Sequence, residues 1–200
     1  MFEEGEKLRK EVGADKVYDF SLGNPDLEPP RGVKDTLIRL AQSEDPNLHK
    51  YMSNAGFPDV REKVAGHIRR QTGVPMSGDH IIMTCGAAGG LNVGLKAILN
   101  PREEVIVFAP FFVEYLAYIE NHGGKPVLSP CNTETFEPDL ADLEQKITPS
   151  TKAIILNSPN NPTGVVYSSD ILHKMAKLIE EKEREYDTHI LVISDEPYTS

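Results

Sequence analysis

The sequence predicts an α/β protein of three layers, α/β/α, with a mainly parallel sheet between two helical layers. Two observations carry that expectation. From about residue 80 onward, four short runs are almost continuously apolar: HIIMT (80–84), EVIVFA (104–109), AIILN (153–157) and ILVIS (190–194). Runs of this length without polar alternation suit strands covered on both faces. Between the runs the apolar spacing changes to helical steps, and strands that alternate with helices build parallel sheets clothed on both sides.

Residues 58–72 (PDVREKVAGHIRRQT) read as a helix opened by a proline, with Val60, Val64 and Ile68 on one face. Further helices are expected around Leu91, Leu95, Ile98 and Leu99, then around Leu140, Leu143 and Ile147. A last one runs through Ile171, Leu172, Met175, Leu178 and Ile179, behind a cap at Ser168 or Ser169. The texture differs upstream, where FSLGNPDLEPP (20–30) is proline-rich and irregular. Residues 1–45 are therefore expected to form an arm or part of a second unit, and residues 46–200 the main domain. No internal repeat or low-complexity segment is visible.

Two hundred residues suffice for one ordinary domain with a real core, and 39% apolar with 26% charged residues is the composition of a folded soluble chain. With 21 Lys and Arg against 31 Asp and Glu, the net charge of −10 argues against nucleic acid, whose phosphates are bound through basic surface. The N-terminal MFEEGEKLRKEVGADK lacks the apolar core of a signal peptide, and no stretch approaches the ~18 apolar residues of a membrane span. A cytoplasmic location without membrane attachment is the expectation. Cys85 and Cys131 lack CxxC spacing and the six histidines form no HExxH. Neither disulfide nor metal site is expected, and both cysteines read as small buried apolar residues.

Ligands of open parallel sheets lie beyond the carboxyl ends of the strands. The segments there are CGAAGG, PFFVEY, NSPNNPTG and SDEPY, in chain order. In the first, the small residues from Cys85 to Gly90 let backbone approach an anion at the positive end of a helix, although alone the segment reads first as close packing of helix on sheet. In the second, Phe112 offers a flat face for stacking or joins the core, while Phe111 reads as core. In the third, Asn161 precedes a proline and Gly164 permits a positive φ, so the loop is stiff and can hold an amide where it donates to a ligand oxygen. In the fourth, Asp195 ends a buried strand, where an unpaired carboxylate costs several kcal/mol. A cap or a loop salt bridge would satisfy it, and so would a cationic ring nitrogen. At ~4 Å and an effective dielectric near 20 that attraction is roughly 4 kcal/mol, enough to hold a pyridine-type nitrogen protonated.

In this order and spacing, with SLGNPD upstream, the four segments resemble the pyridoxal 5'-phosphate-dependent aminotransferases of fold type I, class I/II, over Tyr18 to Tyr198. NNPTG followed about thirty residues later by SDEPY is the specific part. The resemblance implies that Gly86, Ala87 and Ala88 bind the cofactor phosphate and that Phe112 stacks on the pyridine ring. It implies that Asn161 and Tyr198 contact the ring 3-oxygen, Asn161 also meeting the substrate carboxylate, and that Asp195 pairs with the ring nitrogen. Gly23 would lie against the substrate carboxylate. Tyr51 would reach the phosphate of a neighbouring subunit, which implies a homodimer with a shared active site. Residues 46–200 would then be an incomplete large domain, and residues 1–45 an arm belonging to the small domain.

The implied reaction is amino transfer between an α-amino acid and a 2-oxo acid. Two alternatives share these loops: a lyase or synthase on the same scaffold, of the β C–S lyase or aminocyclopropane-carboxylate synthase kind, and a non-catalytic regulatory or binding protein. The family's Schiff-base lysine and substrate arginine have no counterpart in this chain, so it is expected to be the N-terminal half of a longer protein.

Overall fold

The computed structural model describes residues 2–18 and 27–198, with side chains from Glu4 onward. The chain divides into two compact units, Met1–Tyr51 and Met52–Ser200. The first carries helices α1 (Phe2–Val12) and α2 (Arg31–Ala41), neither of which the apolar spacing had indicated.

The second unit opens with α3 (Pro58–Thr72), which starts at its proline and stops at Gly73, whose φ of 72° is the left-handed geometry of a helix C-terminus. There follow α4 (Gly86–Ile98), β1 (Glu104–Ala109), α5 (Glu114–Glu120), β2 (Lys125–Pro130), α6 (Leu140–Lys146), β3 (Thr151–Asn157), α7 (Ser169–Tyr186) and β4 (Leu191–Asp195). The strands form one parallel sheet in the order β2-β1-β3-β4. Its core is double. Val105, Val107, Ala153 and Ile155 meet Leu91, Leu95, Tyr115 and Ile119 of α4 and α5 on one face. Ile106, Phe108 and Ile154 meet Leu143, Met175 and Ile179 of α6 and α7 on the other. The alternation of side chains along β1 and β3 thus makes the predicted three layers.

The strand order fixes where a ligand can sit. From β1 the chain crosses by α5 to one side, and from β3 it crosses by α7 to the other, so the loops leaving β1 and β3 diverge. A crevice opens at such a switch point, beyond the carboxyl ends of the strands.

Three expectations are corrected. His80 ends a short 3-10 helix, and residues 81–84 have no regular secondary structure and join no strand. Met83 N–H donates to the Ala55 carbonyl at 2.9 Å, Arg61 Nε donates to the Ile81 carbonyl at 2.8 Å, and Ile82 is exposed. An apolar, β-branched run becomes a strand only with a neighbour to pair with. The run ending at Asp195 is not covered on both faces, because β4 is outermost, and Leu191 and Val192 are 42% and 49% exposed. Cys85 is exposed at the head of α4, whereas Cys131 is buried. Conversely, β2 (KPVLSP) escaped notice because its two prolines interrupt the apolar pattern. They are tolerated at the sheet's other edge. Among the described residues no helix is long and apolar enough to cross a membrane.

Candidate active site

The loop after β3 is tied to the sheet by its first residue. Asn157, buried at the end of β3, lies opposite Asp195 in the β3–β4 register. Its Nδ2 donates to the Asp195 carbonyl at 2.9 Å, and its Oδ1 accepts from the Asn161 N–H at 2.6 Å. One side chain therefore fixes both the backbone of the acid and the start of the NPTG turn. Buried Asn160 closes that turn: its Oδ1 accepts from the Thr163 hydroxyl at 2.8 Å, and its carbonyl from the Gly164 N–H at 2.7 Å. Gly164 has a φ of 74°, which a side chain would strain. The Asn161 amide group itself makes no hydrogen bond among the described residues.

The head of α4 is left bare in a different way. Gly86 opens the helix at a φ of 74°, no side chain caps it, and its first turn holds no acid. The positive end of a 13-residue helix is thus not neutralised by its own sequence. Between β1 and α5, Phe112 is half-buried and meets the Tyr115 ring edge to face, with centroids 5.6 Å apart and planes at 80°.

Asp195 ends β4, and its side chain is held by Tyr115, whose hydroxyl donates to Oδ2 at 2.5 Å. Asp195 Oδ1 has no hydrogen-bond partner among the described residues. Tyr115 is buried, and burial first, then the bond to the Asp195 carboxylate, push its phenol far above the ordinary tyrosine range, so it remains a donor. On the next turn of α5, Tyr118 donates to Glu114 at 2.5 Å, and that bond above all pushes its phenol up to about 12.

These pieces meet around one cavity of about 290 Å³, at the low end of the ~300–1,000 Å³ of small-ligand sites. Ala87 and Ala88 from the head of α4 and Phe112, Asn161, Asp195 and Tyr198 from the ends of β1, β3 and β4 line it together. Gly86 adjoins the lining as the first residue of α4. Tyr51 belongs to the first unit and is fully exposed there, and Gly23 lies outside the described residues. Sequence reasoning passed over Tyr115, Tyr118, Glu114 and Asn157, which also line the cavity. The signal for Tyr115 was its place three residues after Phe112, one turn along the helix that follows. No lysine or arginine is among the lining residues, and a more open groove between α4 and β4 shares Ala87 and Asp195 with the cavity.

The donor set suits a phosphorylated heteroaromatic ring. An uncapped helix head matches an anion, Phe112 offers a ring face, Asn161 has a free amide for a ring oxygen, and Asp195 Oδ1 has an unshared acceptor for a ring N–H. The family model for aminotransferase class I and II matches residues 15–200. A probable aspartate/prephenate aminotransferase of Thermus aquaticus is 40% identical over 194 residues, 96% of this chain and 48% of the relative. The aspartate/prephenate aminotransferase of Thermus thermophilus is 37% identical, over 96% of this chain and 47% of the relative. Among solved structures, an aminotransferase from Eubacterium rectale superposes with a TM-score of 0.91 at 38% identity, over 98% of this chain and 50% of its own. The chain spans about half the length of the curated relatives it matches.

Proposed function

This chain belongs to the class I and II aminotransferase family, and from that premise we propose that the protein transfers an amino group between an α-amino acid and a 2-oxo acid, using pyridoxal 5'-phosphate. The observation that carries the reading is the cavity on which six residues from the head of α4 and the ends of β1, β3 and β4 converge. When bound, the cofactor supplies an electron sink for the pair left behind as the substrate loses its α-proton.

This chain's residues hold that sink in place. The turn of Gly86, Ala87 and Ala88 would bind the phosphate at the bare end of α4 through the Ala87 and Ala88 N–H groups, since the Gly86 N–H donates to the Thr84 carbonyl at 3.0 Å. Phe112 stacks against the ring face and excludes water from it. The Asn161 amide and the Tyr198 hydroxyl donate to the ring 3-oxygen, and Asn161 also meets the substrate carboxylate. Asp195, whose Oδ2 is held by Tyr115, would place its negative charge beside the ring nitrogen and so hold a proton there. Gly23, outside the described residues, is assigned to the substrate carboxylate by the family resemblance alone.

The working enzyme is a homodimer in which Tyr51 reaches the partner's phosphate site, a role that its full exposure within its own unit leaves open. Mixed dimers of Tyr51→Ala and Asp195→Ala chains then recover activity that neither variant has alone. The smaller unit extends the arm of residues 1–45, and the larger one is the cofactor-binding domain. A cytoplasmic role in amino acid biosynthesis accompanies this reading, and cell fractionation checks the location.

The relatives named for aspartate and prephenate make a dicarboxylic amino acid with a 2-oxo acid acceptor the first pair to assay. The test uses the complete encoded polypeptide with pyridoxal 5'-phosphate. Borohydride-dependent covalent retention of the cofactor together with amino transfer is the expected result. No retention and no transfer would end the proposal, and α-keto acid release without an acceptor would point to a lyase instead.

A further inference from the structure

The only hydrogen-bond partner of the Asp195 carboxylate among the described residues is the Tyr115 hydroxyl, at 2.5 Å on Oδ2. Asp195's main chain is fixed by the β3–β4 ladder and by Asn157, but its carboxylate sits on torsions that these contacts leave free. Tyr115 supplies what is lacking. Its ring is 2% exposed, packed in the core cluster with Leu91, Val107 and Ile119, and its backbone N–H donates to the Phe112 carbonyl at 3.1 Å. One immobile residue therefore touches both the stacking ring and the acid.

Resting on the reading of this cavity as the pyridoxal-phosphate site, we propose that Tyr115 is a positioning residue that grips Asp195 by one carboxylate oxygen and so presents the other to the cofactor's ring nitrogen. Nothing covalent is involved: the phenol keeps its proton, and Asp195 accepts one bond from Tyr115 and one from the ring N–H. Because the phenol resists ionisation, the grip holds over the whole working pH range. Tyr115 also contacts Phe112 edge to face, so the acid and the ring face are set by the same side chain. A shift of either one would displace the cofactor ring relative to the other.

The experiment is a double-mutant cycle on the complete polypeptide, with pyridoxamine 5'-phosphate as the probe because its binding needs no lysine. Dissociation constants are read by fluorescence titration for wild type, Tyr115→Phe, Asp195→Asn and the double variant. Loss of one hydrogen bond to a charged group predicts about a tenfold rise in Kd for Y115F. In the Asp195→Asn background the same substitution changes Kd less than about twofold, because its effect runs through the carboxylate. An equal loss in both backgrounds, or no loss in either, overturns the proposal, since packing alone would then account for Tyr115. Should Y115F fail to fold, 3-fluorotyrosine in place of Tyr115 keeps the shape and changes only the donor. A shifted Kd then supports the proposal and an unchanged one overturns it. Wild type that binds no probe, or D195N that binds as well as wild type, removes the cofactor reading and this inference with it.

Discussion

Asp195 shows what a single residue can and cannot disclose. Its place at the end of an apolar run, followed by Glu196 and Tyr198, was legible, and so were Asn161 and Ala87, which line the same cavity. What held it was not. Tyr115 is eighty residues away, and a contact of that separation depends on the sheet order that brings β1 beside β3 and β3 beside β4. Asn157 was hidden for a related reason, since an asparagine before a turn looks like turn chemistry until its two bonds to different elements are seen. Replacing Asp195 with Asn removes a charge worth roughly 4 kcal/mol at the ring nitrogen, so amino transfer falls about a thousandfold in steady-state assays while the fold persists. Replacing Asn157 with Ala leaves the Asn161 N–H and the Asp195 carbonyl unpaired in a buried place. A loss of about 2–3 kcal/mol is expected in urea unfolding, with weaker cofactor binding besides.

Elements were legible in proportion to how far their own residues decide them. The helix at 58–72 carries its start in Pro58 and its stop in Gly73, and α7 its cap in Ser168, whose Oγ accepts from the Ile171 N–H at 3.3 Å. Ser168→Ala therefore costs about 1 kcal/mol in chemical denaturation, and Ser168→Asp almost none. Short α5 and proline-bearing β2 were missed because they owe their form to neighbours rather than to propensity. The run at 80–84 failed for the opposite reason, a strand pattern with no strand beside it. At Gly86 the surroundings leave room for a methyl group, so Gly86→Ala meets only backbone strain of about 1–2 kcal/mol. That strain falls on the phosphate-binding turn, and equilibrium titration should show cofactor affinity falling more than global stability.

For the molecule as a whole, the three-layer architecture followed from alternating apolar runs and helical spacings, because βαβ units allow few arrangements. The site's location followed from the same topology. The change of texture upstream set an arm at residues 1–45, whereas the compact units divide at Tyr51 and Met52, a boundary that rests on contacts a one-dimensional pattern does not carry. Stability against acid is a whole-molecule property, and among the carboxylates of the described residues held below their ordinary range Glu104 is the buried one, at the start of β1. Burial pushes its carboxyl up, but the bonds from Thr148 at 2.6 Å and Lys125 at 2.9 Å outweigh that and hold it below the usual carboxylate range. A folded-state pKa below the unfolded value of ~4.3 stabilises the fold above that pH, and the contribution is lost as pH falls through the folded value. Glu104→Gln should therefore lower the unfolding free energy at pH 7 and flatten its decline below about pH 4, as followed by urea midpoints across pH.

The central claim is that Asp195 holds the ring nitrogen of a bound cofactor in its protonated state. The nitrogen-15 spectrum of ring-labelled pyridoxal 5'-phosphate on the complete protein tests it most directly. A protonated ring nitrogen at pH 8 in wild type, lost in Asp195→Asn, is the predicted result. An unprotonated nitrogen in wild type, or a protonated one that survives the substitution, would contradict the account.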